Sequence, residues 1–343
     1  MTWARAGQVT GESNSTDEFD VDLSTGSTVP TISSVQANTG TYSVLHGFGT
    51  TQYYPSGMTF VAAVCVRVSF WFWHNNASTN DPCIVKVSST STLAEVRLNT
   101  SGNVLLYVGG VLQQTKTATE CGLNSLNTWQ HLSLTYYAHA STGYVTFYVN
   151  GVSVMAYTGA VTGSPTNAYV GGRGGSSSRW NTYAYYDDLY VDTSSAAETD
   201  ACPDALRFVP KLVNGTTSTE WTLTGAASET AALATNDGDT SYLLSVVAND
   251  LFVGTLSDAT IPAEHTAVAV HTLDFAKRGD SASTLKTSLI DGSANTEESA
   301  ELAPGTSYTR QWATFALAPD GGAWDNTKVN DISLGVESAG SFA

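Results

Sequence analysis

Few residues in this chain have the type and spacing to break a bond or hold an ion. The run "AYYDDLYVD" sets two carboxylates side by side, Asp187 and Asp188. Retaining cleavage of a glycosidic bond requires two carboxyl groups about 5 Å apart, typically from alternate positions of one strand face. Adjacent strand residues point to opposite faces. Asp187 and Asp188 are therefore expected to cap turns or bind backbone near a sheet edge. Glu95 in "LAEVRL" and Glu120 each stand apart from other acids, so no catalytic residue is expected. The stretch "NDGDTSY" (Asn236, Asp237, Gly238, Asp239, Thr240) has the oxygen-rich, Gly-containing look of a Ca²⁺ loop. It lacks the bidentate Glu of the EF-hand pattern, and Asx-turn chemistry accounts for the same residues without a cation. Asp237, Asp239, Asp187 and Asp188 are the candidate Ca²⁺ ligands, and no other cofactor is expected.

Contact chemistry points elsewhere. In "GGRGGSSSRWNTYAYY", Arg173, Arg179 and Trp180 lie on a Gly/Ser-rich loop. Aromatic and Arg anchors are enriched at interfaces, so these three are the candidate contacts, for a glycan or for another subunit. In "SFWFWHNN", Phe70 and Phe72 share one strand face while Trp71 and Trp73 share the other. Both faces being aromatic, this strand is expected to be buried on two sides.

The elements that must position these residues are strands. Aromatic residues make up 10% of the 343 residues and charged residues only 13%. With Thr, Val, Tyr and Gly abundant, that composition suits short strands joined by tight turns. β-Rich runs recur about every dozen residues with Gly, Asn, Ser or Pro between them, the pattern of an all-β sandwich or barrel. In "YVTFYVNG", Val145, Phe147 and Val149 share one face, and Asn150-Gly151 supplies the positive φ values of a type I′ turn. "VSVMAY" returns as the partner strand. Before it, "WQHLSLTYY" places Trp129, His131, Ser133 and Thr135 opposite Leu132, Leu134 and Tyr136, and "HASTG" is expected to form the next turn.

Net charge is −17, and acids outnumber bases on both sides of Pro203. Such a surface repels phosphate backbones, which argues against a nucleic-acid partner. No run of 18 apolar residues marks a membrane span. The start, "MTWARAGQVTGESNSTDEFD", has neither a basic nor an apolar signal region, so folding in a cytoplasm is expected. Cys65, Cys83, Cys121 and Cys202 show no CxxC spacing and read as free thiols, Cys65 as a small buried hydrophobe. The polar stretch "TSSAAETDACP" marks a boundary. The expected organisation is an N-terminal arm with the first strand (1–39), a jelly roll (40–195) and a β-rich C-terminal domain (203–343) that forms a second, smaller β-sandwich.

The Trp-x-His strand, short turn, Asn-Gly ending, "TNAYVGGRGG" and "AYYDDLYVD" together resemble the concanavalin A-like, laminin-G-like jelly rolls over about residues 40 to 195. That resemblance implies a framework role for Trp129 and His131. Across residues 185 to 338, the order of "DDLYVD", "STEWTLTG", "NDGDTSY" and "PDGGAW" is similar to tailed-bacteriophage virion proteins with a laminin-G-like domain. This implies a non-enzymatic structural component of a virion, made in a host cytoplasm and associated with other virion proteins. The implied assembly is a homo-oligomer, trimer before dimer. The alternative function is a lectin-like module binding host or environmental glycans.

Overall fold

The computed structural model describes residues 4–9, 21–22, 31–38, 43–46, 56–75, 82–123, 126–171, 183–197, 209, 211–234, 239–261, 265–279 and 282–340. The chain divides into two compact units, Met1–Phe208 and Val209–Ala343. No described helix is long and apolar enough to cross a membrane.

The first unit opens with β1 (Ala4–Val9), β2 (Val21–Asp22), β3 (Thr31–Ser33), β4 (Ser43–His46) and β5 (Ser56–Thr59). Then come β6 (Cys65–His74), β7 (Cys83–Ser88), β8 (Thr92–Leu98), β9 (Asn103–Val108) and β10 (Val111–Thr117). The last five are β11 (Gln130–Tyr137), β12 (His139–Val149), β13 (Val152–Val161), β14 (Asn167–Val170) and β15 (Ala184–Ser194). They form two antiparallel sheets. One has the order β13-β12-β11-β6-β15-β4-β3, with β1 also on β15; the other runs β10-β9-β8-β7-β14-β5-β2.

Alternation decides which side chains lie between the sheets. Phe70 and Phe72, Leu132 and Leu134, Phe147, Val96, Leu106 and Ala168 all enter one shared core. β6 is buried along all ten residues, as its two aromatic faces require. The Asn-Gly hairpin forms as its sequence dictates, with φ of 49° at Asn150 and 77° at Gly151. "HASTG" connects β11 to β12, but it does so as a bulged continuation of β12, since His139 pairs with Val161 and Gly143 with Gly159. The His139 ring nitrogen Nδ1 accepts from the backbone N–H groups of Ser141 (3.3 Å) and Thr142 (3.0 Å), closing the connection.

Asp187 and Asp188 do not lie near a sheet edge, contrary to expectation. β15 is interior, with β6 on one side and β4 and β1 on the other. Between the pairs Asp187–Trp71 and Tyr190–Ser69, two residues (Asp188 and Leu189) face one (Phe70), so a β-bulge forms at the Asp pair, with φ of 48° at Asp188. The extra residue breaks strict alternation and lets both Tyr186 and Leu189 reach the core. Asp187 does bind backbone, its Oδ2 accepting from the N–H of Asn38 at 2.7 Å.

On one side of the sandwich the two edge strands are tied by side chains. The Gln114 amide of β10 donates to the Ala156 carbonyl (2.7 Å) and accepts from the Ala156 N–H (3.2 Å). Lys116 Nζ donates to the Val154 carbonyl at 2.6 Å. β13 thereby has exposed ladder groups covered without a further strand, a device that blunts an edge.

The second unit comprises β16 (Val213–Thr219), β17 (Thr222–Thr224), α1 (Glu229–Leu233), β18 (Tyr242–Leu244) and β19 (Leu251–Leu256), then β20 (Val270–Ala276) and β21 (Ser283–Asp291). β22 (Thr296–Glu298), β23 (Thr309–Phe315), α2 (Asn326–Asn330) and β24 (Ile332–Gly340) complete it. A five-stranded sheet, β16-β19-β24-β21-β22, is accompanied by the pairs β17-β18 and β20-β23. Its core gathers Leu289, Phe315, Trp324, Val329 and Ile332. Trp324 donates its indole N–H to the Phe315 carbonyl at 2.8 Å, and Asp325 caps α2 by accepting from the N–H groups of Thr327 and Lys328.

Asp274 of β20 directs its carboxylate inward, where Thr287 donates to it at 2.8 Å. Burial pushes this carboxyl up to about 6, against the smaller downward pull of that hydrogen bond. An acid whose folded pKa is raised stabilises the fold when protonated. That contribution is lost as pH rises from about 4 through about 6. Asp274→Asn should therefore raise stability at pH 7 by on the order of 1–2 kcal/mol and flatten the slope between pH 4 and 6. Urea unfolding of both proteins at pH 4.5 and 7 checks this; an equal difference at the two pH values would refute it.

Candidate functional site

His131, Trp71 and the Asp187–Asp188 pair, which stand out in sequence, lie in the eight-stranded sheet and are packed shut. His131 is 1% exposed and Asp188 0%. The His131 ring lies between Trp71 (centroids 5.5 Å) and Tyr190 (6.4 Å, nearly parallel). Around it Ser69 donates to Ser133 at 2.9 Å, and Arg67 forms a buried ion pair with Asp192 at 2.8 Å. Burial, then the Arg67 charge, pushes the imidazole down to about 4. The Asn-Gly turn is tied to the same place: Asn150 Oδ1 accepts the His131 N–H (2.9 Å), and the Asn150 N–H donates to the His131 carbonyl (2.7 Å). Asn150 thus locks the register between β11 and β12 through the backbone of residue 131, and the buried His131 ring is framework.

A second polar and aromatic group lies on the outer face of the other sheet, where Tyr169 and Glu95 are buried while Lys86 and Tyr107 are half-buried. Val85 and Val87, Val96, Leu106 and Ala168 fill the core, so the alternating positions of β7 beyond its irregularity at Cys83/Val85, and of β8, β9 and β14, face away from it. Register then lines up four side chains across four strands. Tyr169 pairs with Lys86, Lys86 with Glu95, and Glu95 with Tyr107. Gly57 of β5 continues the line beside Tyr169, and exposed Leu112 of β10 closes it beside Tyr107. A Cβ at position 57 would collide with the Tyr169 ring, so glycine is what allows that ring to lie along the sheet.

Within the row, cations lie over rings. Lys86 Nζ is 4.9 Å from the Tyr169 ring centroid and Arg97 Cζ is 4.4 Å from that of Tyr107. Arg97 also pairs with Glu95, whose residue is 4% exposed. The Tyr169 hydroxyl is hydrogen-bonded with Ser88, and burial raises its pKa. From Tyr169 to Tyr107 the row crosses three strand spacings, about 14 Å. This is a polar and aromatic strip on a rigid sheet, suited to hydrogen-bonding and stacking against an extended polar ligand.

Of the residues singled out in sequence, Arg173, Arg179, Trp180 and Asp237 lie outside the described residues. Asp239 pairs with Lys277, which in turn lies over the Tyr308 ring. Among the described residues no group of three His, Cys, Asp or Glu side chains is placed to hold a metal ion. Cys65, Cys83 and Cys121 are buried free thiols. Lys86, Arg97, Tyr107 and Tyr169 carry no sequence motif. Alternation in "CIVKVS", "AEVRL", "NVLLYV" and "NAYV" marks each as non-core, but only the pairing of the strands brings them together.

Residues 49–198 match the model of the concanavalin A-like lectin/glucanases superfamily. The fold is accordingly all-β, a concanavalin A-like jelly-roll sandwich followed by a second β-rich unit. No curated protein matches the sequence. Among solved structures, a sialidase is 9% identical with a TM-score of 0.35, covering 44% of this chain. The binding domain of Paraclostridial Mosquitocidal Protein 1 is 13% identical (TM-score 0.37, 65% of this chain). A galectin of Caenorhabditis elegans is 12% identical (TM-score 0.27, 43% of this chain and 94% of the galectin). The chain spans 15% of the sialidase and 61% of the toxin domain.

The packed histidine gives the first unit an acid response. Because His131 is held neutral to about 4, its contribution to stability is full above the ordinary value of 6.5 and is lost as pH falls below it. Between pH 7 and pH 5 this one group should cost about 2 kcal/mol, since the unfolded chain takes up the proton and the folded chain does not. His131→Gln should lose less stability over that range, as read by calorimetry at the two pH values. A variant with the same pH dependence as the parent would show that His131 does not couple to folding.

Proposed function

We propose that the N-terminal unit is a lectin-type carbohydrate-binding module that holds a glycan across the Tyr169–Lys86–Glu95–Tyr107 row without cleaving it. The row itself is the observation that carries this reading. Sugars offer apolar C–H faces to aromatic rings and hydroxyls to polar groups, and the row presents both kinds, with Lys86 and Glu95 between its two tyrosines. The match to a superfamily of lectins and glucanases supports carbohydrate as the ligand class. Against cleavage stands the single carboxylate of the row, Glu95, where hydrolysis in this manner requires two. On a glycan array the protein should bind a subset of oligosaccharides, and Tyr107→Ala should weaken that binding about tenfold, roughly 1.4 kcal/mol. Reducing ends should not accumulate. A protein that binds no glycan, or one that releases reducing sugar in a Glu95-dependent manner, would overturn this reading.

We also propose a carrier for the module. The order of segments across residues 185–338, similar to tailed-phage virion proteins, supports a virion component in which the sandwich mediates surface contact, seated as a homo-oligomer, trimer before dimer. Sedimentation at micromolar concentration should give an oligomer, and mass spectrometry should find the chain at fixed stoichiometry on purified particles. A monomer absent from particles would reject this carrier and leave the glycan reading untouched.

A further inference from the structure

Resting on the glycan reading above, we propose that the sheet face selects sugars that carry a carboxylate, and that Lys86 is the residue that recognises it. The row and the adjacent Arg97 together hold two cations and one anion. Arg97 is committed twice, to the Glu95 carboxylate and to the face of Tyr107. Glu95 is thereby neutralised by Arg97, its neighbour two positions along the strand, while Lys86, directly across the ladder, forms no ion pair with it. Among the described residues the Lys86 side chain makes no hydrogen bond or ion pair; its ammonium lies against the Tyr169 ring, 4.9 Å from the centroid. The Tyr107 hydroxyl also has no hydrogen-bond partner there. The residues that carry this ammonium and this phenol stand on β7 and β9, two strand spacings or roughly 10 Å apart along the sheet, with the Glu95 carboxylate between them held by Arg97.

A half-buried ammonium is a point charge with three donors, and it gains most when an anion completes its shell. A sugar carboxylate does this, whereas a neutral hydroxyl only replaces water. The surrounding charge narrows the class further. A chain of net charge −17 repels densely charged polyanions at long range, while screening confines that field to about 8–10 Å. The ligand that fits both conditions carries sparse carboxylates among neutral rings. Two sources share that chemistry, uronate units within a chain and a terminal sialate.

Calorimetry of the full chain with matched pairs tests this: trigalacturonate against its methyl ester, and sialyllactose against lactose. At least one acidic member should bind about tenfold more tightly than its neutral counterpart, and the pair that shows the difference names the source. The preference should shrink as salt is raised. Lys86→Met should abolish it, Lys86→Arg should keep most of it, and circular dichroism should show both variants folded. Equal binding of acidic and neutral members, or a preference that survives Lys86→Met, would overturn the inference and leave the glycan reading standing. Binding to neither member of either pair, in a protein that also binds nothing on an array, would overturn both.

Discussion

The N-terminal unit depends on strand register. Side chains alternate between faces with a period of two, so a slip of one residue would turn every core residue outward and every outer residue inward. Three local devices hold the register. Asn150 bonds His131 through both its amide oxygen and its own N–H, fixing β11 against β12 at the Asn-Gly turn. The bulge at Asp187–Asp188 adds one residue to β15 so that both of its halves face the core. Between β7 and β8, irregularities at Cys83/Val85 and Val87/Ser88 bracket a short regular stretch, and Lys86 meets Glu95 inside it. The outer row exists because that stretch is in step with β14 on one side and β9 on the other.

What sequence revealed and what it concealed follow from the range of each interaction. The β12–β13 hairpin was readable because its turn chemistry is local: Asn-Gly takes positive φ, and Val145, Phe147 and Val149 alternate with polar neighbours. The two-sided burial of β6 was readable from "SFWFW" alone. The Asp pair was misplaced because alternation assumes a regular strand, and a bulge is decided by the partner strand. The row was invisible because β14 pairs with β5 and β7, strands about 80 to 110 residues earlier. Nothing in "NAYV" names those partners. Glu95 looked isolated for the same reason, as its cross-strand neighbours Lys86 and Tyr107 are joined to it only by the ladder.

The two outer faces of the sandwich show opposite uses of polar residues. On the larger sheet, His131, Arg67, Asp192, Ser69 and Ser133 are buried and bonded or stacked among themselves. Such groups are costly to desolvate. The same density of polar groups on the other sheet leaves Lys86 and Tyr107 with capacity to spare. Composition alone therefore does not separate the two faces; what separates them is exposure, since the His131 ring is sealed with neither nitrogen hydrogen-bonded, whereas Lys86 and Tyr107 remain half-buried.

The side-chain clasp between β10 and β13 has a mechanical consequence. Sheets of a sandwich are held mainly by apolar contact, which resists separation but offers little resistance to sliding. Gln114 and Lys116 cross from one sheet to backbone groups of the other, and a directional bond of that kind opposes shear. Load applied to the β7–β9 face is then passed into the large sheet through the clasp and is not absorbed as slippage of one layer over the other. The surface keeps its shape under tension, a property that matters for any module whose task is to hold on.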